Sequence, residues 1–72
     1  MKIIGDPSGD FASQIVQVVA QTCEVSFEAV SYSERKYGKW ISVTVEAPVI
    51  NAEMLYRIYE NVDKDPRVKF KF

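Results

Sequence analysis

A chain of 72 residues is long enough for one small domain, and its nine basic and ten acidic side chains leave a net charge of -1. Ordering each residue costs about 1.5 kcal/mol, which buried apolar area must nearly offset, so we expect modest stability. The near-neutral balance excludes a global electrostatic signal for nucleic-acid or membrane binding, and any charge signal must be local.

The residue types restrict the chemistry further. The chain has no His and a single cysteine, Cys23. A disulfide, a zinc site of Cys and His, a Ser-His-Asp triad and an imidazole base are therefore excluded within one chain. We predict no catalytic residue, no metal and no cofactor. A free thiol, together with the lack of a signal-peptide pattern or a membrane-length apolar run, predicts a cytoplasmic protein that does not contact membranes.

The first third of the chain predicts a strand and a helix. Residues 2–5 form a short apolar run that ends at the turn formers of residues 6–9. A helix follows, with Ser8 or Asp10 as its N-cap. Its apolar face is predicted to carry Phe11, Ile15, Val18, Val19 and Thr22.

The middle third predicts two strands. From Glu24 to about Tyr32 apolar and polar residues alternate, which predicts a second strand with one apolar face made of Val25, Phe27 and Ala29. Residues 33–38 would then turn the chain, with Gly38 as the permissive position. Residues 40–46 alternate strictly and predict the central strand, with Ile41, Val43 and Val45 facing the core.

The last third predicts a helix and a strand. Pro48 ends the central strand, and Asn51 is a suitable cap for a second helix. The apolar stripe of that helix is Leu55, Ile58, Tyr59 and Val62. Residues 67–72 alternate again, and the prediction places Val68, Phe70 and Phe72 on one face.

These elements predict a single α+β domain over residues 1–72. The order βαββαβ, with right-handed crossovers, gives a ferredoxin-like sandwich: a four-stranded antiparallel sheet in the order 4-1-3-2 with two helices on one face. The predicted inner layer of the sheet is Val25, Phe27, Ile41, Val43, Val45, Val68 and Phe70. The predicted open face is Glu24, Ser26, Glu28, Trp40, Ser42, Thr44, Glu46, Arg67, Lys69 and Lys71. Such charges also keep a sheet from pairing with other chains, which is the structural alternative to a functional face.

Three segments carry a resemblance to a known family: residues 38–45, Leu55-Tyr56, and residues 66–70. With the opening Lys2-Ile3-Ile4-Gly5, they resemble the small bacterial YbeD-like family, a domain of unknown function, although Trp40 stands where that family usually has Tyr. The family is ferredoxin-like and similar to the small-molecule-sensing ACT domains, and its members are often labelled lipoate regulatory proteins. The resemblance implies a bacterial regulatory or binding module with no catalytic residue to transfer.

Because this fold serves many functions, the alternatives depend on residues. Acylphosphatase-like catalysis needs an Arg in the loop after the first strand, and residues 5–10 contain none. An RNA-recognition domain would place several rings on the open face, whereas the prediction places only Trp40 there, so nucleic acid is the weaker alternative. An ACT-like sensor could bind its ligand with Gly5, Asp6 and Gly9, although any tight turn from strand to helix needs the same residue types.

One cluster of basic and aromatic residues remains, in the predicted hairpin. It consists of Tyr32, Arg35, Lys36, Tyr37, Lys39 and Trp40. Such residues suit recognition of an acidic protein surface, and a solvated turn is the alternative explanation. The sequence thus predicts a non-enzymatic regulatory or protein-interaction domain with a protein partner and weak homodimerisation. A small-molecule sensor or, with less support, an RNA-binding module is the alternative.

Overall fold

The computed structural model describes residues 1–71, and the predicted place of Phe72 in the last strand lies outside the described residues. The elements are β1 (Lys2–Gly5), α1 (Phe11–Cys23), a 3-10 turn (Phe27–Ala29), β2 (Ser31–Tyr37), β3 (Trp40–Glu46), α2 (Ala52–Val62) and β4 (Val68–Lys71). All strand pairs are antiparallel, in the order β2-β3-β1-β4. This is the predicted order read from the other edge, so the predicted fold class is confirmed.

The core lies between the sheet and the two helices. Alternation along β3 buries Ile41, Val43 and Val45, as predicted. The other buried apolar residues are Ile3, Phe11, Ala12, Ile15, Val16, Val19, Ala20, Cys23, Val30, Ile58 and Val62. Asn51 caps α2 as predicted, because its Oδ1 accepts the Met54 N–H at 2.8 Å. Asp10 occupies the N-cap position of α1, without a side-chain capping bond.

The predicted second strand was placed too early in the chain. Glu24 ends α1 in the left-handed conformation (φ 58°), and the Val25 N–H donates to the Ala20 carbonyl at 3.0 Å. This capping arrangement folds Val25 back onto the core, where it is partly buried. Phe27 lies in the 3-10 turn, exposed rather than in the inner layer. The alternation of residues 24–29 therefore reflects a helix cap and a turn.

The predicted turn at residues 33–38 is also wrong. Tyr37 pairs with Trp40, so the loop is the two residues Gly38 and Lys39, and residues 33–37 belong to β2. Gly38 has a positive φ of 59°, which is easy for glycine at the first position of a two-residue hairpin loop. The segment lacks apolar alternation because all seven residues of β2 are exposed.

Val68 packs against the core as predicted, but a bulge reverses the predicted faces of the last strand beyond it. The pairing of β1 with β4 shifts between Ile4 and Gly5, so that Ile4 lies opposite Phe70 and Gly5 opposite Val68. Phe70 is therefore on the open face and not in the inner layer. Lys71 lies on the helix side, where its Nζ donates to Asp63 Oδ2 at 2.6 Å.

The open face differs from the prediction accordingly. The residues on it are Lys2, Ile4, Ser31, Ser33, Arg35, Tyr37, Trp40, Ser42, Thr44, Glu46 and Phe70. The predicted members Glu24, Ser26 and Glu28 precede β2 and are not in the sheet. Arg67 precedes β4, Lys69 is exposed at the bulge, and Lys71 faces α2. On the β2 part of this face, the predicted acids Glu24 and Glu28 are thus replaced by a basic residue, Arg35.

No helix within residues 1–71 has the length and apolar character needed to cross a membrane.

Candidate binding surfaces

Strand β2 is an open edge of the sheet. The hydrogen bonds of β3 show which residues of β2 bond to β3 and which point outward. Met1 and Val45 exchange two backbone hydrogen bonds of 2.9 and 2.8 Å, so the odd-numbered residues of β3 bond to β1. Because bonding alternates along an antiparallel strand, the even-numbered residues of β3 bond to β2. Their partners in register are Ser31, Ser33, Arg35 and Tyr37.

The backbone groups of Tyr32, Glu34 and Lys36 consequently point away from the sheet. Each offers an N–H and a C=O that no neighbouring strand of the sheet receives, since β2 is the outermost strand in the order. Such a row is a template for an added strand. At the other edge β4 is shorter, at four residues, and is bulged. Of the two edges, β2 is therefore the better one for strand addition.

The structure divides the predicted hairpin cluster between the two faces of the sheet. Arg35, Tyr37 and Trp40 are directed to the open face, and Tyr32 and Lys36 to the helix side. Lys39 is in the turn. The Tyr32 ring contacts Phe27 edge to face, with 6.4 Å between centroids. The signal that could have revealed this division is the pattern Tyr37-Gly38-Lys39-Trp40, which is typical of a two-residue hairpin loop.

Three aromatic rings are exposed on the open face. Tyr37, Trp40 and Phe70 are 55%, 42% and 62% exposed. Sequence reasoning placed only Trp40 there. Tyr37 was missed because β2 was placed too early, and Phe70 because no sequence signal marks the β4 bulge.

The loop between β1 and α1 contains the predicted ligand residues, and the structure shows their contacts within the protein. A Cβ on Gly5 would lie 2.5 Å from the Arg67 carbonyl oxygen, so only glycine fits there. Asp6 Oδ1 accepts the Ser8 N–H at 3.0 Å, and Gly9 has a positive φ of 63°. Gly9 also lines a groove of about 230 Å³ between this loop and β2.

Arg67 holds this loop against the end of α2. Its Nε and Nη2 donate to the carboxylate of Asp65, at 2.7 Å for the shortest contact, and its Nη1 donates to the Ser8 carbonyl at 3.0 Å. The guanidinium lies over the Phe11 ring, 5.3 Å from its centroid. Hydrogen bonding from Arg67 holds the pKa of Asp65 below its usual value. This arrangement organises the loop and is not an anion site with free donors.

We expect Asp65→Asn to lower stability by about 1.5–3 kcal/mol at pH 7, as for other hydrogen bonds to charged groups. A lowered folded-state pKa means that Asp65 stabilises the protein above its unfolded pKa of about 3.9, and that this contribution is lost as the pH falls through the folded-state value. Urea unfolding at pH 7 and pH 3 should show the difference between wild type and variant shrinking at pH 3.

The matched control is Glu53→Gln, which removes an exposed pair whose Arg57 and Glu53 side chains are 67% and 75% exposed. That change should alter stability by less than about 0.5 kcal/mol at either pH. An Asp65→Asn effect that is equally small at pH 7 would contradict the structural role of the Arg67 contacts.

A groove of about 730 Å³ lies between α1, the end of α2 and the segment before β4. It is lined by Gln14, Val18, Gln21, Thr22, Asn61, Lys64, Asp65, Pro66 and Arg67. At its floor Asn61 Nδ2 donates to Thr22 Oγ1 at 2.8 Å, and that hydroxyl donates to the Val18 carbonyl at 2.9 Å. Gln14 and Gln21 form an uncharged polar side of α1, and the structure places this side next to the end of α2.

Cys23 is buried at the end of α1, and burial raises the pKa of its thiol. A raised pKa lowers the thiolate fraction at neutral pH, so this side chain is a poor nucleophile. Within residues 1–71 no three His, Cys, Asp or Glu side chains gather in a way that could hold a metal ion.

The fold and these surfaces define a small α+β domain of the ferredoxin-like class with an open sheet face and an open edge strand. A family model described as "Protein of unknown function (DUF493)" matches residues 1–72, and the chain belongs to that family. YbeD-like proteins belong to the same family, so the resemblance predicted from the sequence is confirmed. Comparison with curated proteins found no significant match, and neither did comparison with solved structures.

Proposed function

We propose that this chain is a non-enzymatic regulatory domain of the cytoplasm that binds an extended segment of a partner protein along β2. The observation that carries the proposal is the open row of backbone groups at Tyr32, Glu34 and Lys36, on a strand whose seven residues are all exposed. Strand addition at such an edge obtains its affinity from main-chain hydrogen bonds and its specificity from alternate side chains.

The charges beside this edge favour an acidic segment. Arg35, Lys36 and Lys39 lie within five positions, and none of them forms an ion pair among the described residues. Glu34 is the single acid on the strand. Opposite charges across the new strand pair would speed association and fix the register.

The test removes one N–H on the outer edge of β2 and leaves the hydrogen bonds between β2 and β3 intact. Proline is tolerated at an edge strand where its nitrogen faces solvent, so Glu34→Pro should fold and should lose partner recovery from a lysate of the source cell. Glu34→Ala keeps the N–H and should recover the same partner. Arg35→Pro removes an N–H that bonds to β3 and should lower stability by about 1–3 kcal/mol.

Three results would contradict this assignment. Equal partner recovery by Glu34→Pro and Glu34→Ala would show that the edge backbone is not used. Greater destabilisation by Glu34→Pro than by Arg35→Pro would show that the N–H of Glu34, and not that of Arg35, bonds to β3. A concentration-dependent dimer of the pure protein that Glu34→Pro abolishes would identify a second copy as the occupant of the edge.

A small-molecule sensor is the second candidate, and the groove between α1 and α2 favours it. The volume of this groove lies within the range usual for ligand sites. Two of its lining residues, Asn61 and Thr22, are joined by a side-chain hydrogen bond. A metabolite bound there would raise the melting temperature of the pure chain by mass action, whereas a strand-binding domain would need a peptide.

A further inference from the structure

We propose that the open face of the sheet binds single-stranded nucleic acid, with the rings of Trp40 and Phe70 stacking on bases and Lys2 and Arg35 contacting phosphates. This binding uses the face of the sheet, whereas the proposed protein contact uses the outer edge of β2. The two proposals have only the Arg35 side chain in common, so removing the outer N–H of Glu34 and removing the Phe70 ring test them separately.

The rings lie across the sheet from one another. Tyr37 is paired with Trp40 at the hairpin end, and Ile4 is paired with both Ser42 and Phe70. Phe70 is therefore on a strand two positions away from β3. At the usual spacing of neighbouring strands, this separation is about 10 Å. A strand of nucleic acid that crosses the sheet can place one base on each ring. Four-stranded sheets of RNA-recognition domains bind two or three bases in this manner.

Between the two rings the open face is centred on Ser42. Ser42 is only 8% exposed although it lies on the open face. Its neighbours across the strands are Ile4 and Arg35. Their longer side chains flank the serine, and beside it Lys2, Arg35 and Tyr37 line a depression of about 210 Å³ on the same face.

The charges on this face match phosphate. Lys2 and Arg35 are directed to it, and neither forms an ion pair in residues 1–71. Among the described residues of the strands, Glu46 is the one acid on this face, at the opposite end of β3 from Trp40. The other nine acids of the chain lie in loops, helices or on the helix side of β2. A nearly neutral protein thus has one locally basic, aromatic face.

The experiment titrates the full chain at low salt with decamers of U and of dT. Trp40 is the single tryptophan, so stacking should quench the intrinsic fluorescence. Inorganic polyphosphate provides phosphate charge without bases and should bind more weakly. The logarithm of the binding constant should fall with log salt with a slope of about -0.7 per phosphate contacted, or about -1.4 for the two cations.

Variants separate stacking from charge. Phe70→Thr and Trp40→Thr keep residues that suit a strand, and each should weaken binding of a labelled decamer by about 5- to 150-fold, the equivalent of one stacked base. Arg35→Gln should reduce the salt slope by about 0.7. The control is Tyr56→Ala, which removes a 65% exposed ring on α2 and should leave binding unchanged. Glu34→Pro should also bind the decamer as wild type does.

Decamers that bind no more tightly than polyphosphate would overturn the proposal, and so would equal affinities for Phe70→Thr and Tyr56→Ala. Sedimentation could instead detect a dimer that Trp40→Thr abolishes. If that dimer binds no decamer, the proposal is also overturned. In that case the open face would be an interface between two copies of this chain. Melting temperatures of all the variants near that of wild type would show that the comparisons concern folded protein.

Discussion

Val43→Asp is expected to leave the chain unfolded at neutral pH. Val43 is 0% exposed at the centre of β3, between Ile3 on β1 and Glu34 on β2. The change forfeits about 1.5–3 kcal/mol of apolar burial and places a carboxylate where no partner is available, at a further cost of several kcal/mol. Small domains have total stabilities near the lower end of about 5–15 kcal/mol, so the sum removes most or all of it. Amide dispersion in a two-dimensional spectrum measures the outcome.

The matched control is Thr44→Asp, one residue further along the same strand. Thr44 is exposed on the open face and lies opposite Lys2, so the new carboxylate remains solvated beside a cation. This variant should keep a dispersed spectrum and a stability within about 0.5 kcal/mol of wild type. A folded Val43→Asp together with an unfolded Thr44→Asp would mean that β3 presents the opposite faces.

Gly5→Ala is expected to destabilise the fold by about 3 kcal/mol or more, at the upper end for overpacked sites. The added Cβ would lie 2.5 Å from the Arg67 carbonyl oxygen and 2.5 Å from Cζ of Phe11. The ring can shift, but the carbonyl is held by the Asp6 N–H at 2.9 Å. Relief therefore requires moving the segment before β4 away from β1. For a chain of this size, the melting temperature should fall by more than about 12 °C.

Gly38→Ala provides the comparison, because a Cβ there meets nothing within 4 Å and the cost comes only from the positive φ of 59°. That cost is about 1–2 kcal/mol. Urea titration of both variants should therefore rank Gly5→Ala as clearly worse. If Gly38→Ala proves equally or more destabilising, the close approach of β1 to residue 67 is not the constraint that the structure indicates.

The sequence pattern alone determined whether a segment is a helix or a strand wherever only one face of that element is buried. The strict alternation of residues 40–46 is visible in sequence because one face of β3 packs on the helices and the other is open. The apolar stripe of α2 and its Asn51 cap are visible for the same reason. From these elements and the right-handed crossover rule, the class of fold and the strand order follow from the sequence alone.

Tertiary structure decided the position of β2 and the faces of β4. An edge strand exposed on both sides has no burial to impose a period, so residues 31–37 resemble a loop in sequence. A helix cap at Glu24 and Val25 produced a misleading period of two just before it. The bulge opposite Ile4 and Gly5 turns Phe70 outward and Lys71 inward, and it depends on pairing between segments more than sixty residues apart. The rings and cations of the open face are brought together by that pairing, which no local pattern records.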